Sequence, residues 1–525
     1  MSNLKVRTAR GSMFMAGLSL GMRPISMLLA IILLRLLNPP DFGLIAMSMI
    51  LLNTANLFTD LGMRPAIVQT KYDIHKVAHY AFVLVMLTSM AVTGIVMLLA
   101  APLANFLGGG ADLVPVLRTM ALVVTADGLW IVPEALLRRD LRFKQLGLAQ
   151  IPSELASTII AIIFAVLGFG VWSLVIGNIA AEVIRAILTW GFYRPWIWLK
   201  PRKWESEIVR SLLNFGVPTM GSGVLRYFQT QIDTLIVGRS FGATPVGYYG
   251  KAYDLTTRLS DMLTSSIFGN VLFPSYAKLQ DDKPRLARAY LKSTNMVLLM
   301  IVPMSVGLAI VAPILVPVLL GAKWLPMIPL WQIFALYGIT RPISTNASPI
   351  FLAVGQPRRN ISASLVLLAI MIPLIFLMMG PWGITGVALA VSLAHTVTML
   401  FNVFQVNQIL PGTGRKTFVQ SLPFLASGGV MALGVYLLSG PITAAFGGTN
   451  VLSLVAIIIV GALIYIAVTL LLQRPLVMEL YELLVKALCL NRFDALVEKV
   501  HELLVALLHH DAVVLLGERF AHDLE

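Results

Sequence analysis

The chain has 525 residues, of which 58% are hydrophobic and 12% charged, and its mean hydropathy is +0.85. These values exclude an ordinary soluble domain and are typical of a protein that crosses a membrane many times. The formal net charge of +14 would favour nucleic acid as the partner of a soluble chain. Here the charge lies mostly in short loops between apolar segments, which predicts contact with anionic membrane lipid and no nucleic-acid partner. A single cysteine, Cys489, excludes an intramolecular disulfide and a cysteine-based metal site.

Fourteen apolar segments follow one another along the chain, and each is long enough for a bilayer-spanning helix of about 20 residues. They cover residues 12–35, 42–67, 78–104, 115–136, 149–168, 171–193, 212–238, 247–275, 291–315, 325–353, 361–380, 383–409, 417–439 and 451–472. The first segment lacks a small-residue cleavage site, so we expect a retained helix and not a signal peptide. The predicted fold class is an all-α integral membrane protein with about 14 transmembrane helices.

Lysine and arginine are concentrated in every second connection between these segments. The stretches Arg138–Lys144, Arg194–Arg210 and Lys278–Lys292 are basic, whereas a connection such as Asn105–Val114 is nearly free of charge. Basic loops stay in the cytoplasm during membrane insertion. The alternation therefore predicts that the N-terminus and the C-terminus are both cytoplasmic.

A weak internal repeat relates the first segments to the seventh and eighth. A shift of 204 residues superposes three pairs: Gly17 on Gly221, Arg35 on Arg239, and Gly43 on Gly247. The second copy starts six segments after the first, so both copies start from the same side of the membrane. This predicts two pseudo-symmetric six-helix lobes that face each other across a central cavity, plus two additional helices. The predicted domains are the N-terminal lobe 1–193, a cytoplasmic interfacial linker 194–211, the C-terminal lobe 212–410, the two additional helices 411–473 and a cytoplasmic amphipathic tail 474–525.

The linker and the tail both have features of a membrane surface. Trp196, Trp198 and Trp204 alternate with basic residues in the linker, a composition typical of a segment at headgroup depth. In the tail, Pro475–Leu490 and Phe493–Leu508 carry apolar residues at helical spacing with charges on the other face. We expect two amphipathic helices there, with docking of a partner enzyme as the alternative.

No motif for covalent catalysis is found: the chain has no Walker loop, no His-Glu-x-x-His and no nucleophile elbow. The informative residues are therefore the ionisable ones inside apolar segments, which usually face a cavity or a partner. Some have a structural explanation, because Glu182 and Arg185, or Asp254 and Arg258, are spaced to pair along one helix.

Three arginines lack such a partner in sequence: Arg23, Arg226 and Arg341 have no acidic residue three or four positions away. Arg23 and Arg226 also fall within one position of each other under the repeat. Cations from equivalent helices would line a positive cavity, and a guanidinium suits a phosphate or diphosphate because it binds bidentately and stays charged. Asp233, two turns after Arg226, would balance that charge or hold a coupling cation.

Five phrases of the chain resemble those of Wzx-type polysaccharide transporters, the O-antigen, capsule and exopolysaccharide flippases of the multidrug/oligosaccharidyl-lipid/polysaccharide superfamily. These phrases are LLRRDLRF (136–143), LLNFGVP (212–218), DTLIVG (233–238), GYYGKAY (247–253) and LGAKW (320–324). The resemblance covers roughly residues 1–475. It implies a bacterial inner-membrane protein that moves an undecaprenyl-diphosphate-linked oligosaccharide outward by alternating access, without a cofactor.

The resemblance also implies a cationic lumen, onto which Arg23, Arg226, Arg258 and Arg341 map by position only. Its partners would be the lipid-linked glycan, membrane lipid and a polysaccharide polymerase or other assembly proteins.

Some relatives in this superfamily couple transport to sodium through an acid in span seven and polar groups in spans eleven and twelve. Asp233 fits the first position, and His395 lies in span twelve, but span eleven offers only Ser362 and Ser364. Coupling to H+ or to Na+ both stay open from the sequence.

Two alternative functions remain. A multidrug antiporter of the same superfamily would favour carboxylates and aromatic rings in its lumen, and the three arginines count against it. A membrane glycan polymerase or ligase usually needs a large periplasmic loop with catalytic side chains, whereas the outward connections predicted here are short.

Overall fold

A computed structural model describes residues 21–22, 24–193, 198–200, 205–267 and 272–473. The described residues form helices joined by short connections and contain no β-strand. The all-α fold class predicted from the sequence is therefore confirmed.

The helices follow one another with few residues between them. They are α1 (Pro24–Leu36), α2 (Pro39–Asp60), α3 (Met63–Gln69), α4 (Ile74–Leu98), α5 (Ala100–Leu107), α6 (Gly110–Arg139), α7 (Phe143–Val166), α8 (Val171–Phe192), α9 (Ser206–Phe241), α10 (Ala243–Ile267), α11 (Phe273–Lys278), α12 (Lys283–Leu315), α13 (Ile328–Ala353), α14 (Arg358–Ile409), α15 (Thr413–Ala445) and α16 (Val451–Leu472). A π-helical turn, Val316–Leu320, and a 3-10 helix, Ala322–Met327, join α12 to α13.

Nine helical stretches in the described part of the chain are long and apolar enough to cross a membrane. They are Pro39–Gln69, Ile74–Leu98, Gly110–Arg139, Phe143–Val166, Val171–Phe192, Lys283–Leu320, Arg358–Ile409, Thr413–Ala445 and Val451–Leu472. The chain is thus a multi-pass membrane protein. Helices α9, α10 and α13 also fall on predicted spans but carry more polar residues, so the total of fourteen spans stays a prediction.

Local sequence signals explain where several helices begin and break. Asn38 caps α2 together with Asp41, whose carboxylate accepts a hydrogen bond from the Asn38 backbone N–H at 2.8 Å. Pro39 then occupies the first turn, where its missing N–H costs nothing. The predicted span 42–67 is interrupted at Leu61 and Gly62, which both adopt left-handed backbone conformations and end α2.

Helix α14 contains two of the predicted spans, as two helices that meet at a kink within its 52 residues. Gly383 interrupts the helical backbone with φ 57° and ψ −137°, at the boundary between the predicted spans 361–380 and 383–409. A positive φ of this kind is readily adopted by glycine. Pro381, two residues earlier, also favours a break.

A large apolar core joins helices from both halves of the chain. It includes Leu34 of α1, Met47 of α2, Tyr249 of α10, Phe334 of α13 and residues of α14. Helix α10 packs extensively against α2. The two halves of the chain therefore meet along this pair of helices, which correspond to each other under the predicted repeat.

In the connection between the halves, Trp198 packs against helices of the first half. Its side chain is fully buried, with ring centroids 5.4 Å from Phe82 and 6.4 Å from Trp190. Burial against two aromatic rings removes a large apolar surface from solvent, and the depth of the linker in the membrane stays a prediction. Trp196 and Trp204 lie outside the described residues.

The residues up to Ala462 form one compact unit, and a second unit begins at Leu463. The described part of the second unit is the remainder of α16. The predicted amphipathic helices Pro475–Leu490 and Phe493–Leu508 lie outside the described residues.

Candidate functional site

The first turns of α2 and α10 cross at very close range through two glycines. A Cβ added to Gly43 would lie 1.8 Å from the carbonyl oxygen of Ala243, and one added to Gly247 would lie 2.0 Å from that of Pro39. Under the shift of 204 residues, Gly43 corresponds to Gly247 and Pro39 to Ala243, so the two contacts are reciprocal. We call these four residues the glycine crossing. Small residues four apart allow membrane helices to approach this closely.

Three aromatic side chains pack beside the glycine crossing. Phe42 of α2 meets Trp324 edge-on at 5.6 Å between ring centroids, and Tyr248 of α10 meets the same indole at 6.0 Å. The Trp324 Nε1–H donates to the carbonyl oxygen of Leu34 at 2.7 Å. These three rings, named here the aromatic cluster, join α1, α2 and α10 at one point.

Two hydrogen bonds connect the ends of α1 and α9 to the opposite halves of the chain. Lys323, from the second half, donates from Nζ to the carbonyl oxygen of Arg35 at 2.9 Å. Arg239, the repeat equivalent of Arg35, donates to the carbonyl oxygen of Phe106 in the first half at 2.8 Å. Burial lowers the pKa of Lys323 below its ordinary value, while the Asp41 carboxylate opposes that shift. Each half therefore holds the end of a helix of the other half.

Helix α9 is also tied to the first half at its opposite end. A Cβ on Gly216 would lie 2.0 Å from the carbonyl oxygen of Leu61, at the break between α2 and α3. Nearby, the Tyr72 hydroxyl donates to Glu207 at 3.2 Å, and this hydrogen bond raises the pKa of the Tyr72 phenol. In this structure α9 is held to the first half at both ends.

Helix α10 carries a polar face with three charged side chains. Arg258 Nε lies 3.0 Å from Asp254 Oδ2, which confirms the pairing expected from their spacing. Lys251 Nζ approaches the same oxygen at 3.9 Å. The exposed fractions are 28% for the Lys251 side chain, 37% for Asp254 and 65% for Arg258. Ionisable residues within a membrane bundle face an interior or a water-filled cavity, so this face is suited to line a transport path.

Lys251 was not among the site residues predicted from the sequence. Its ammonium lies 4.7 Å from the ring centroid of Phe42, in a cation–π contact between the two halves. The signal that would have found it is the spacing of Lys251, Asp254 and Arg258 at three and seven positions, which places two cations and one acid on one helical face.

Asp233 lies in the core of the second half. Its carboxylate is 2% exposed and accepts a hydrogen bond from the Tyr249 hydroxyl at 2.6 Å through Oδ2. The other oxygen, Oδ1, is buried without a hydrogen-bond partner in the structure. A buried carboxylate oxygen of this kind is costly and is a place where a proton or a small cation could bind.

A group of tyrosines connects the surroundings of Asp233 to Arg341 and His395. The Tyr249 ring stacks on Tyr253 at 6.3 Å, and the hydroxyls of Tyr253 and Tyr337 are 2.9 Å apart. Tyr337 then meets His395 edge-on at 4.7 Å, and the Arg341 guanidinium lies 6.0 Å from the Tyr337 ring centroid. The structure thus brings Asp233, Arg341 and His395 into one region of α9, α10, α13 and α14.

The side chains of two further predicted site residues lie outside the described part of the structure. Arg23 lies outside the described residues. Arg226 lies within α9, and its side chain is likewise outside the description. The proximity of these two arginines to Arg258 or Arg341 stays a prediction.

A second polar network occupies the first half and was not predicted as a unit. Asp127 accepts a hydrogen bond from Asn56 at 2.5 Å, and Glu182 accepts one from Trp130 Nε1 at 2.7 Å. The Arg185 guanidinium lies over the Trp130 ring at 3.7 Å. Glu182 and Arg185 thus make contacts with Trp130, and the ion pair expected between them does not occur among the described salt bridges.

The carboxylate at the centre of this network belongs to Glu134, which is 2% exposed. Its closest cation is Arg138 at 2.6 Å, with Arg64 at 3.7 Å and Arg185 at 4.0 Å. Three cations around one buried acid make this a compact structural network. We place this network outside the candidate site because its charged groups contact one another.

A cavity of about 350 Å³ lies away from these groups, where α12 and α14 begin. It is lined by Gln280, Asp281, Lys283, Leu286, Val354, Gln356, Arg359, Gln408, Ile409 and Leu410. Its lining does not include the predicted cations, so it carries no part of the candidate site. Within the described residues, no group of three or more histidine, cysteine, aspartate or glutamate side chains is arranged to hold a metal ion.

Solved structures that share this fold include a lipid II flippase and a multidrug resistance transporter. The lipid II flippase MurJ, in an inward closed conformation, aligns with a TM-score of 0.71 and 16% identity, covering 89% of this chain and 100% of MurJ. An inward-facing multidrug resistance MATE family transporter of the MOP superfamily aligns with a TM-score of 0.55 and 16% identity, over 73% of this chain and 94% of its own.

Two sequence relatives have names that refer to polysaccharide biosynthesis. Lipopolysaccharide biosynthesis protein WzxC of Escherichia coli (strain K12) is 25% identical over 400 residues, which are 75% of this chain and 80% of WzxC. Succinoglycan biosynthesis transport protein ExoT of Rhizobium meliloti (strain 1021) is 27% identical over 326 residues, 62% of this chain and 65% of ExoT. Residues 32–329, more than half of the chain, match the sequence profile of a family described as polysaccharide biosynthesis protein. Because this match covers more than half of the chain, the chain belongs to the polysaccharide biosynthesis protein family.

Proposed function

We propose that the protein is a flippase that moves an undecaprenyl-diphosphate-linked oligosaccharide from the cytoplasmic to the outer leaflet of the bacterial inner membrane. The oligosaccharide is a repeat unit of O-antigen, capsule or exopolysaccharide. Transport proceeds by alternating access, with both chain termini in the cytoplasm. The protein is a transporter and not an enzyme.

The names of the relatives support the substrate class. ExoT is named as a succinoglycan biosynthesis transport protein, and WzxC as a lipopolysaccharide biosynthesis protein. MurJ, which shares the fold, is named as a flippase for lipid II. Two of the three names refer to polysaccharide biosynthesis, and the third refers to the flipping of a lipid.

The single observation that carries the proposal is the polar face of α10. Lys251, Asp254 and Arg258 leave one positive charge in excess on this face. A diphosphate needs such charge when it leaves water, and a guanidinium provides bidentate hydrogen bonds to its oxygens. An antiporter for organic cations would need the opposite excess, so the same observation disfavours a multidrug substrate.

The glycine crossing supports alternating access. With the N-terminus in the cytoplasm, the connections before α2 and before α10 both lie on the outer side. The crossing of Gly43 and Gly247 then closes the outer end of the path. Release of the substrate to the outer leaflet requires these two helices to separate.

Transport is coupled to a cation at Asp233, and we propose that this cation is a proton. The Oδ1 atom of Asp233 has no hydrogen-bond partner, and Tyr249 is the donor to Oδ2. One proton on Oδ1 would remove the buried charge with a single atom, whereas a sodium ion would need several further oxygen ligands. His395 and Arg341, which contact Tyr337 nearby, would respond to the charge of Asp233 through the tyrosines.

Export of the glycan in cells tests this function. Deletion of the gene should abolish the surface polysaccharide and leave its lipid-linked repeat unit in the cytoplasmic leaflet, and the wild-type gene should restore export. Arg258→Gln should restore much less export at matched protein level. Surface polysaccharide that persists at a normal level after deletion, in a strain without a second flippase gene, would refute the proposal.

A further inference from the structure

Two groups compete for the Lys251 ammonium, and neither holds it tightly. Asp254 Oδ2 is 3.9 Å away, but Arg258 Nε is closer to that oxygen, at 3.0 Å. On the other side, the ammonium lies 4.7 Å from the ring centroid of Phe42. Because Asp254 already has Arg258, Lys251 supplies the positive charge that is in excess on this face.

Phe42 connects Lys251 to the closed end of the path. It precedes Gly43 directly, and its ring is 7% exposed and packs on Trp324 at 5.6 Å. Any force that moves the Phe42 ring acts on the aromatic cluster and on the adjacent glycine crossing. The cation–π contact is therefore a contact between the candidate binding face and the closure.

We propose that Lys251 binds the diphosphate group of the substrate and, by leaving the Phe42 ring, couples that binding to opening of the glycine crossing. The proposal rests on the flippase function proposed above and assigns a role to a residue of its lumen. A diphosphate attracts an ammonium far more strongly than an aromatic face does, because it carries formal charge and strong acceptor oxygens. The bound anion would draw Lys251 toward Arg258 and leave Phe42 without its cation.

The position of the contact gives this coupling a direction. Without a diphosphate, Lys251 stays on Phe42 and the crossing stays closed, so the empty protein does not open a leak to the outer side. With a diphosphate bound, the contact is lost and the closed state is less favoured. A ligand shifts such an equilibrium only if it binds the two states unequally, and competition for Lys251 supplies that difference.

A buried cysteine at the closure can report on opening. Met47 of α2 is 0% exposed, and its Cε lies 3.1 Å from the position that a Cβ on Gly238 of α9 would occupy. We would introduce Met47→Cys in a Cys489→Ser background, reconstitute the full chain in lipid nanodiscs, and measure labelling by a hydrophilic maleimide. Inorganic pyrophosphate and undecaprenyl diphosphate are the two probes, and orthophosphate is the control anion.

In the protein with Lys251 and Phe42 intact, we expect slow labelling that undecaprenyl diphosphate accelerates by roughly tenfold, a ratio within the range of cation–π energies. Acceleration by both probes would identify the diphosphate alone as the trigger. Acceleration by the lipid probe only would assign the trigger to the lipid-linked form, and it also supports the proposal. Labelling that neither probe accelerates would overturn it.

Two variants separate binding from closure. Lys251→Met should label fast without any probe, should not respond to a diphosphate, and should bind pyrophosphate at least tenfold more weakly. Phe42→Leu should also label fast but should still bind pyrophosphate, because its lysine is intact. Asp254 keeps Arg258 in both variants, so no charge is left buried without a partner. Lys278→Met, at the end of α11, is the matched control and should behave like the reference protein.

Slow labelling and unchanged pyrophosphate binding in Lys251→Met would overturn the coupling while leaving the flippase function intact. A reference protein that opens with diphosphate but does not restore glycan export in cells would instead overturn the proposed function. The two failures are thus distinguishable.

Discussion

Gly43 and Gly247 matter because only a residue without a side chain lets α2 and α10 approach each other this closely. No unusual backbone conformation is required of either residue, yet an added Cβ would overlap a backbone oxygen of the other half. A backbone carbonyl does not rotate out of the way as a flexible side chain does. A side chain added at either position would therefore force α2 and α10 apart.

We predict that Gly43→Ala and Gly247→Ala each disfavour the closed crossing by about 3 kcal/mol or more, since overpacking of a tight contact costs at least 1–3 kcal/mol. Glycan export should fall at least tenfold in each variant, and Met47→Cys should become accessible. Gly250→Ala, in the same helix as Gly247, meets nothing within 4 Å and is the control. It should export normally, with a small gain in helix stability. Normal export by Gly43→Ala would contradict the tight crossing.

Arg341 tests whether the planar guanidinium matters for the substrate. We predict that Arg341→Lys lowers glycan export partially and that Arg341→Ala removes most of it, because lysine keeps the charge but loses the bidentate fork. The measurement is surface glycan at matched protein level, with Arg23 and Arg226 substituted in the same way. Full export by all three alanine variants would refute the cationic lumen. Reduced expression with normal export per protein molecule would show that these arginines have a structural role instead.

Asp233 tests the proposed proton coupling. We predict that Asp233→Asn, which resembles the protonated acid in shape, no longer responds to a pH gradient in reconstituted vesicles, while a sodium gradient has no effect on the wild type. Tyr249→Phe removes the hydrogen bond to Oδ2 and should shift the pH dependence without abolishing it. Transport by the wild type that follows sodium at constant pH would contradict the proton.

At the scale of helices, the apolar segments of the sequence give most elements with small errors at their ends. Hydropathy located both spans inside α14 and the boundary at Gly383, because Gly and Pro at 380–383 interrupt an otherwise uniform apolar run. The predicted span 42–67 ran across the break at Leu61 and Gly62, because the apolar residues on both sides outweigh Asp60 and Arg64 in the mean hydropathy. There the carbonyl of Leu61 packs on Gly216, a tertiary contact that no local pattern announces.

The charged face of α10 illustrates a different limit. The three arginines singled out in the sequence are cations without an acidic residue three or four positions away. Lys251 does not meet this criterion, because Asp254 follows three residues later. The importance of Lys251 comes from Phe42, a residue more than 200 positions away. The burial of Trp198 also depends on distant residues, since its partners Phe82 and Trp190 belong to other helices.

The kink in α14 provides a prediction at this scale. Gly383 has φ 57° and ψ −137° and open space around its Cα, so Gly383→Ala should cost only backbone strain, about 1–3 kcal/mol. We expect a lower thermal midpoint of the purified protein. Gly380→Ala, three residues earlier and also without neighbours, should leave the midpoint unchanged or raise it. Equal midpoints for the two variants would contradict the assigned kink.

At the scale of the whole molecule, the orientation in the membrane decides which side the glycine crossing closes. We predict that single cysteines at Gly109, Thr244 and Phe446 react with an impermeant maleimide from outside intact cells, and that cysteines at Lys203 and Lys283 do not. Disruption of the membrane should make the latter two reactive. Labelling of Lys203→Cys from outside would reverse the proposed orientation and move the crossing to the cytoplasmic side.

Movement of the lipid-linked glycan across a bilayer is the central claim, and reconstitution measures it most directly. Purified protein in vesicles should move a fluorescent undecaprenyl-diphosphate-linked oligosaccharide from the inner to the outer leaflet, where a membrane-impermeant quencher reaches it. The wild type should empty the protected pool well before protein-free vesicles do, and Arg258→Gln with Arg341→Ala should be at least tenfold slower. A protected pool that empties no faster with wild-type protein than without it would contradict the account.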